Sequence, residues 1–238
     1  MRLTGALLIF ALMLAETSCR NGRNTAGQQE GAVSIAQGAG AEIPEAGQSF
    51  TSEPIPDAVW ERMQGLSWKD NDDISREDLR YLRLLHRDAE GIAHEGEMIC
   101  NKVIAEDLIE IFRALYEAAY PIERMVLPDE YGADDERQMR ANNTSCFLYR
   151  RISGSAKLSR HALGLAVDIN PLYNPYVKRR KDGSLFIQPE TAAAYCDRNA
   201  DFPYKIVEGD LACRLMASHG FEWGGSWTSL KDYQHFER

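Results

Sequence analysis

Between residues 105 and 119 the apolar side chains Leu108, Ile109, Phe112, Leu115 and Tyr116 recur at three-and-four spacing. That period predicts one amphipathic helix with a single core face. Pro121 cannot continue it, and residues 122–127 beyond read as a strand. Residues 165–169 read as a second strand and 234–237 as a third, while 211–219 predict a late helix capped by Gly220. Earlier, Pro56-Asp57-Ala58-Val59-Trp60 opens a short helix ending near Gly65. Residues 78–86 fit a strand or a short helix equally well, and residues 98–103 read as the start of an extended element. Helices and strands mix without a regular alternating repeat, so the expected class is α+β rather than a doubly wound sheet.

The pattern is not globular throughout. Residues 20–52 are rich in Gly, Ala, Gln, Ser and Glu with Phe50 as their one aromatic, a stretch that buries too little apolar area to offset the entropy of ordering it. It is expected to be a disordered tether ahead of a single domain at residues 53–238. Before it, Met1-Arg2 and the apolar run from Leu7 to Leu14 have the form of a secretory signal over residues 1–19, too short to span a membrane. Ending that signal on Cys19 fits bacterial lipoprotein processing, with Cys19 as the lipidated residue. Glu16 departs from that pattern, and simple cleavage with release is the competing reading. Either route places the chain in the periplasm or cell envelope, with the membrane touched only through the lipid anchor.

Of the five cysteines, Cys100, Cys146, Cys196 and Cys213 remain if Cys19 is lipidated. Cys196 and Cys213 flank a short segment and could pair; the alternative is buried free thiols. Net charge is −9, from 27 basic and 36 acidic residues, with no basic stripe interleaved with aromatics, so nucleic acid is not an expected partner. The cationic run Lys178-Arg179-Arg180-Lys181, followed by Asp182-Gly183 and flanked by apolar stretches, reads as a solvated hairpin tip. A wall polymer or acidic lipid is its less ordinary partner.

The chemistry sits in two segments. Ser159-Arg160-His161-Ala162-Leu163-Gly164-Leu165-Ala166-Val167-Asp168 is answered by Asp232-Tyr233-Gln234-His235-Phe236-Glu237. Two imidazoles and one carboxylate can hold zinc tetrahedrally and leave its fourth position to water, the arrangement of a hydrolytic rather than a structural site. In a strand through residues 166–169, Asp168 faces away from Val167 and Ile169, so a carboxylate can enter a cleft while its neighbours enter the core. Gly164 permits the bend that brings His161 to the same ion.

The pattern Ser-x-His-x-x-Gly-x-Ala-x-Asp, then Gly224-Gly225-Ser226-Trp227, then Asp-x-x-His-Phe-Glu, resembles the D-alanyl-D-alanine carboxypeptidase and L-alanyl-D-glutamate peptidase superfamily. Asn142-Asn143-Thr144-Ser145 and the segment from Asp168 to Pro175 resemble a secreted or lipoprotein branch of it, and the resemblance covers roughly residues 53–238. It implies a Hedgehog/DD-peptidase-like fold, with a small antiparallel sheet and helices packed around it, and a monomer. It implies Zn2+ on His161, Asp168 and His235, and peptidoglycan stem peptides as substrate. It also implies a carboxylate base three residues before the last ligand, here Asp232, and an oxyanion-stabilising arginine upstream of the first.

Arg150 is the arginine that fits, with Arg151 close behind; neither lies in the Gly-Tyr-Arg-Ser-like setting usual for that role. Glu237 is the competing base, and a strand-supporting role the competing view of Glu237. Ser159, Trp227 and Tyr233 are the substrate-side candidates, against plain packing around the site. His86, His94 and His219 have no partner pattern and read as structural or exposed. The competing function is a catalytically inactive zinc-containing wall-binding or interaction lipoprotein; a base at Asp232 argues against it, because a structural site needs none.

Overall fold

A computed structural model of the chain describes residues 49–152 and 154–238, all within one compact unit. The expected signal at residues 1–19, Cys19 and the tether up to residue 48 lie outside the described residues.

The first layer is a three-stranded antiparallel sheet. Strand β1 (Thr51–Glu53) leads into helix α1 (Asp57–Met63), and β2 (Leu79–Arg87) pairs with β3 (Ala93–Asn101) over their full length. The order is β1-β2-β3. Residues 78–86, open between helix and strand in the sequence, are therefore strand. Residues 98–103 hold the end of a strand rather than its start. Folded structure also begins before residue 53: Thr51 lies opposite Arg83, and Phe50 is buried with its N–H donating to the Arg83 carbonyl at 2.7 Å. One aromatic side chain carries those residues into the core.

Helix α2 (Ala105–Glu117) lays Leu108, Ile111, Phe112 and Leu115 on the β2–β3 sheet, the face its apolar period predicts. Residues 122–127 are extended but form no strand ladder. Ile122 donates to the Arg87 carbonyl at 2.7 Å and Glu97 to the Met125 carbonyl at 3.0 Å. At Val126 the Asn143 side-chain amide both donates and accepts at 2.9 Å, standing in for a neighbouring strand. Helix α3 (Asp135–Arg140) follows, capped by the Asp134 carboxylate.

The second layer carries the chemistry. Strand β4 (Ala166–Asp168) enters from the 3-10 turn Arg160–Leu163, and the hairpin of β5 (Tyr176–Arg179) and β6 (Leu185–Gln188) comes next. The cationic run ends β5 and enters the hairpin tip, closed by Arg180 donating to the Ser184 carbonyl at 2.8 Å. Helix α4 (Leu211–Ser218), β7 (Glu222–Trp223), β8 (Lys231–Asp232) and β9 (His235–Glu237) complete the chain. The two further sheets run β4-β9-β7 and β6-β5-β8. The architecture is α+β, with small antiparallel sheets and several helices.

One apolar cluster joins the layers: Leu82, Leu84 and Met98 from the first sheet, Phe112 from α2, Val167 and Phe236 from β4 and β9, and Met216 from α4. A second seals α1 against β2 and β3 through Met63, Trp68, Leu79, Ile99 and Phe147. Among the described residues no helix is long and apolar enough to cross a membrane. The cysteines Cys100, Cys146, Cys196 and Cys213 are all free, so Cys196 and Cys213 are not bridged.

Gly164 ties the layers together. It adopts φ 65° at the end of the 3-10 turn, and its carbonyl accepts from Asn101 N–H at 2.9 Å. A Cβ there would lie 2.6 Å from the Asn101 nitrogen, a backbone atom that cannot swing aside. Gly164→Ala is therefore expected to destabilise the fold by at least about 2 kcal/mol, read as a lowered urea midpoint, from strain and clash together.

Candidate active site

The antiparallel β4–β9 ladder sets Asp168 directly opposite His235 and Val167 opposite Phe236. Strand alternation does the rest: Val167 and Phe236 are wholly buried on one face, while Asp168 and His235 project together from the other. His235 Nδ1 lies 3.0 Å from Asp168 Oδ1. His161 arrives from the 3-10 turn, whose N–H of His161 donates to Ser159 Oγ at 3.3 Å, and places Nε2 3.2 Å from Asp168 Oδ2 and 3.2 Å from His235 Nδ1. One ligand-type atom from each of the three lies within 4.8 Å of the others.

Each imidazole is turned by a partner on its far side. His161 Nδ1 sits 2.7 Å from the Cys146 carbonyl, and His235 Nε2 sits 3.1 Å from Glu237 Oε2. With those far nitrogens donating, the near nitrogens of neutral imidazoles face one another and a carboxylate with lone pairs outward. Three acceptors aimed at one point repel unless a cation stands between them. Tetrahedral zinc with bonds near 2.0–2.1 Å has ligand atoms about 3.3 Å apart. The observed 3.0–3.2 Å spacings and the two-nitrogen, one-oxygen donor set fit that ion.

In the protein without a cation, a proton fills the role. Burial disfavours charge on His235, but hydrogen bonds to Asp168 and Glu237 outweigh it and raise its pKa to about 10. Burial would likewise raise the Asp168 carboxyl, yet the charges and hydrogen bonds of His161 and His235 hold it well below the ordinary range. Glu237 is lowered, chiefly by its hydrogen bond from His235.

Asp232 is built differently. It ends β8, opposite Tyr176 of β5, and its Oδ1 is buried with no hydrogen-bond partner. Burial pushes its carboxyl up to about 6 against the pull of His235. Gly224 makes this closeness feasible, since a Cβ there would stand 2.7 Å from the Asp232 carbonyl oxygen.

These residues open onto a cleft of about 620 Å³. Arg150 lines it, half-buried and paired to Asp135 at 2.8 Å, with its Nε buried and unpartnered. Arg151 also lines it but is exposed, and donates to the Ala156 carbonyl. Ser159 lines the cleft while its Oγ caps the His161 turn. Trp227 is on the wall, its ring 5.5 Å from that of His235 and its Nε1 donating to Glu222 at 2.8 Å.

Tyr233 is not on that wall. It sits in the bend between β8 and β9, and its ring lies under the Arg198 guanidinium at 4.4 Å, outside the lining of the cleft. Glu237 is on the wall, held to His235, so its place is that of an orienting partner. Its i, i+2 relation to His235 along one strand face was the available signal. The Cys146 carbonyl, Asp135 and the inner face of the β5–β6 hairpin carry no motif, and sequence reading missed them. His86, buried on the Ile122 carbonyl, lies off the cleft, as do His94 on Asp88 and His219 on Asp107.

A cleft lined by two convergent imidazoles, one carboxylate between them and a second carboxylate with a raised pKa has the groups that hydrolytic chemistry uses. The family described as D-alanyl-D-alanine carboxypeptidase has a model that matches residues 153–238, which supports the zinc DD-peptidase superfamily and a peptidase. That segment contains His161, Asp168, Asp232 and His235; Arg150 precedes it. No curated protein and no solved structure matches the chain.

The Asp232 carboxyl titrates above its unfolded value of 3.8, so the folded state holds a proton longer than the unfolded one and stability falls as pH rises from 3.8 through about 6. In chelator-treated protein, Asp232→Asn is expected to raise stability at pH 7.5 by on the order of 1–3 kcal/mol. The gain should vanish near pH 3.5. Denaturant melts at the two pH values check both halves.

Proposed function

We propose that the chain is a zinc-dependent peptidase acting on D-amino-acid-containing stem peptides of bacterial peptidoglycan, with a fold of the Hedgehog/DD-peptidase kind. One observation carries the reading: His161 Nε2, His235 Nδ1 and Asp168 converge at 3.0–3.2 Å beside a buried, unpartnered carboxylate oxygen on Asp232. The family match over residues 153–238 supports the substrate class.

His161, Asp168 and His235 would hold the ion, with the Cys146 carbonyl and Glu237 fixing the tautomers that leave Nε2 and Nδ1 free. Zinc so held supplies a Lewis acid and lowers the pKa of a coordinated water. Asp232 Oδ1 accepts a proton from the attacking water and returns it to the departing amine nitrogen; a carboxyl titrating near 6 suits both transfers close to neutral pH. The Arg150 guanidinium, steadied by Asp135, balances the negative charge that grows on the scissile carbonyl oxygen. Trp227 and the hairpin wall narrow the access of bulk water to these groups. Export through the signal at residues 1–19, with Cys19 as lipid anchor, would deliver the domain to its substrate.

A site carrying only structural zinc would have no use for a buried carboxylate lacking a partner, which disfavours the inactive wall-binding alternative. Digestion of purified sacculi, followed by mass spectrometry of released fragments, is expected to show peptide products that disappear with chelator and return on adding zinc. Asp232→Asn should retain zinc and lose about 10²–10⁴-fold in turnover. Sacculi left intact by zinc-loaded protein would sink the reading.

Zinc must also displace the proton on His235. Near pH 7 each ion bound is expected to release about one proton, and affinity should weaken as pH falls. Calorimetry in buffers of differing ionisation enthalpy measures this, and zero proton release would contradict the assigned Nδ1 contact.

A further inference from the structure

The charges lining the cleft are unevenly spent. On the α3 side every carboxylate is engaged within the chain. Asp134 caps Arg137 N–H at 3.0 Å, Asp135 holds Arg150, and Glu136 accepts from Arg140 Nε at 2.8 Å and Glu190 N–H at 2.7 Å. Two of the cations are engaged as well: Arg151 donates to the Ala156 carbonyl and Arg160 to that of Arg238. Beyond the wall, Arg179 donates to the Gly183 carbonyl and Arg180 stacks on Phe186. Among the lining cations, the Lys178 side chain alone makes neither ion pair nor hydrogen bond with the described residues.

Strand register fixes its place. Tyr176 lies opposite Asp232 on one side and Gln188 on the other, and Lys178 lies opposite Phe186. Tyr176 and Lys178 share one face of β5, as Phe186 and Gln188 share one face of β6, and all four line the cleft. Two residues of strand cover about 6.6–6.8 Å, so Lys178 stands that far along β5 from the point opposite the Asp232 base. Between them the Tyr176 and Phe186 rings meet edge-on at 6.0 Å and give an apolar floor. An extended peptide advances about 3.3–3.6 Å per residue. A group met by Lys178 therefore lies one or two residues from a bond attacked beside Asp232. The Lys178 side chain is exposed at the rim of the cleft, where an incoming carboxylate can reach it without displacing a partner.

We propose that Lys178 is a specificity-determining residue that anchors the free C-terminal carboxylate of the substrate, one or two residues from the scissile bond. This deepens the peptidase reading and rests on it. It makes the enzyme a carboxypeptidase in preference to an endopeptidase, a distinction that the ion and its ligands leave open.

The test compares an acylated D-alanyl-D-alanine peptide with its C-terminal amide, using the zinc-loaded full chain and its Lys178→Met and Lys178→Arg variants. The wild type is expected to favour the free acid over the amide by about 10- to 100-fold in kcat/KM, the range of one charged hydrogen bond. Lys178→Met should collapse that ratio to within about threefold, and Lys178→Arg should keep most of it. Binding of both peptides to the chelator-treated full chain, followed through tryptophan fluorescence, gives the same comparison without turnover. Equal handling of acid and amide by the wild type, or an acid preference that survives Lys178→Met, overturns the anchor and leaves the peptidase reading standing. An acid preference in binding that Lys178→Met abolishes, with neither peptide cleaved and sacculi left intact by the zinc-loaded wild type, supports the anchor and overturns the peptidase reading.

Discussion

The pairing of β4 with β9 is the constraint on which the rest of this structure depends. Two short antiparallel strands place Asp168 across from His235 and, one step along, Val167 across from Phe236. The second pair is sunk wholly in the core, so the first has no freedom to slip: a one-residue shift would drive a carboxylate and an imidazole into apolar packing and expose two hydrophobes. Core packing thus holds polar ligands in register at no cost in extra hydrogen bonds.

That arrangement leaves the site electrostatically incomplete by construction. Acceptors converge within about 3 Å of one another, and an additional carboxylate oxygen on Asp232 is buried without a partner. Such features destabilise a fold, and they persist where function needs them. The proton on His235 answers the carboxylates of Asp168 and Glu237 around it, while the Asp232 carboxyl is raised to about 6 chiefly by its burial and further by the charge on Asp168. A divalent cation answers both at once, which is why the metal reading accounts for more of the site than a hydrogen-bonded cluster does.

Support for the site comes from elements far away in sequence. Cys146, between α3 and the 3-10 turn, orients one imidazole through its carbonyl, and Asn101 at the end of β3 pins Gly164. Asp135 opens α3 and steadies Arg150 across the cleft. These contacts link the first sheet to the second layer, so substitutions at a distance from the cleft should reach it through backbone rather than through side-chain chemistry.

Strong periodicity and strict spacing made part of this molecule legible in its letters. The apolar repeat after Ala105 foretold α2 and its buried face, and alternation around Asp168 foretold which side chains would enter the core. The motif residues His161, Asp168, Asp232 and His235 lie in two short segments whose spacing is read directly from the chain. Residues 122–127 misled because their apolar composition suits a strand, whereas the partner that satisfies Val126 is the Asn143 side chain, which no local pattern announces. Tyr233 lies off the cleft although it adjoins Asp232, because the bend between β8 and β9 turns its ring to the Arg198 guanidinium. Composition and spacing by themselves determined the class of fold and the residue types that can gather at the site. Tertiary structure alone decided which nitrogen of each imidazole faces inward, which buried carboxylate oxygen lacks a partner and which cation lining the cleft keeps a side chain unpaired among the described residues, because those outcomes turn on backbone atoms and strand registers contributed by distant parts of the chain.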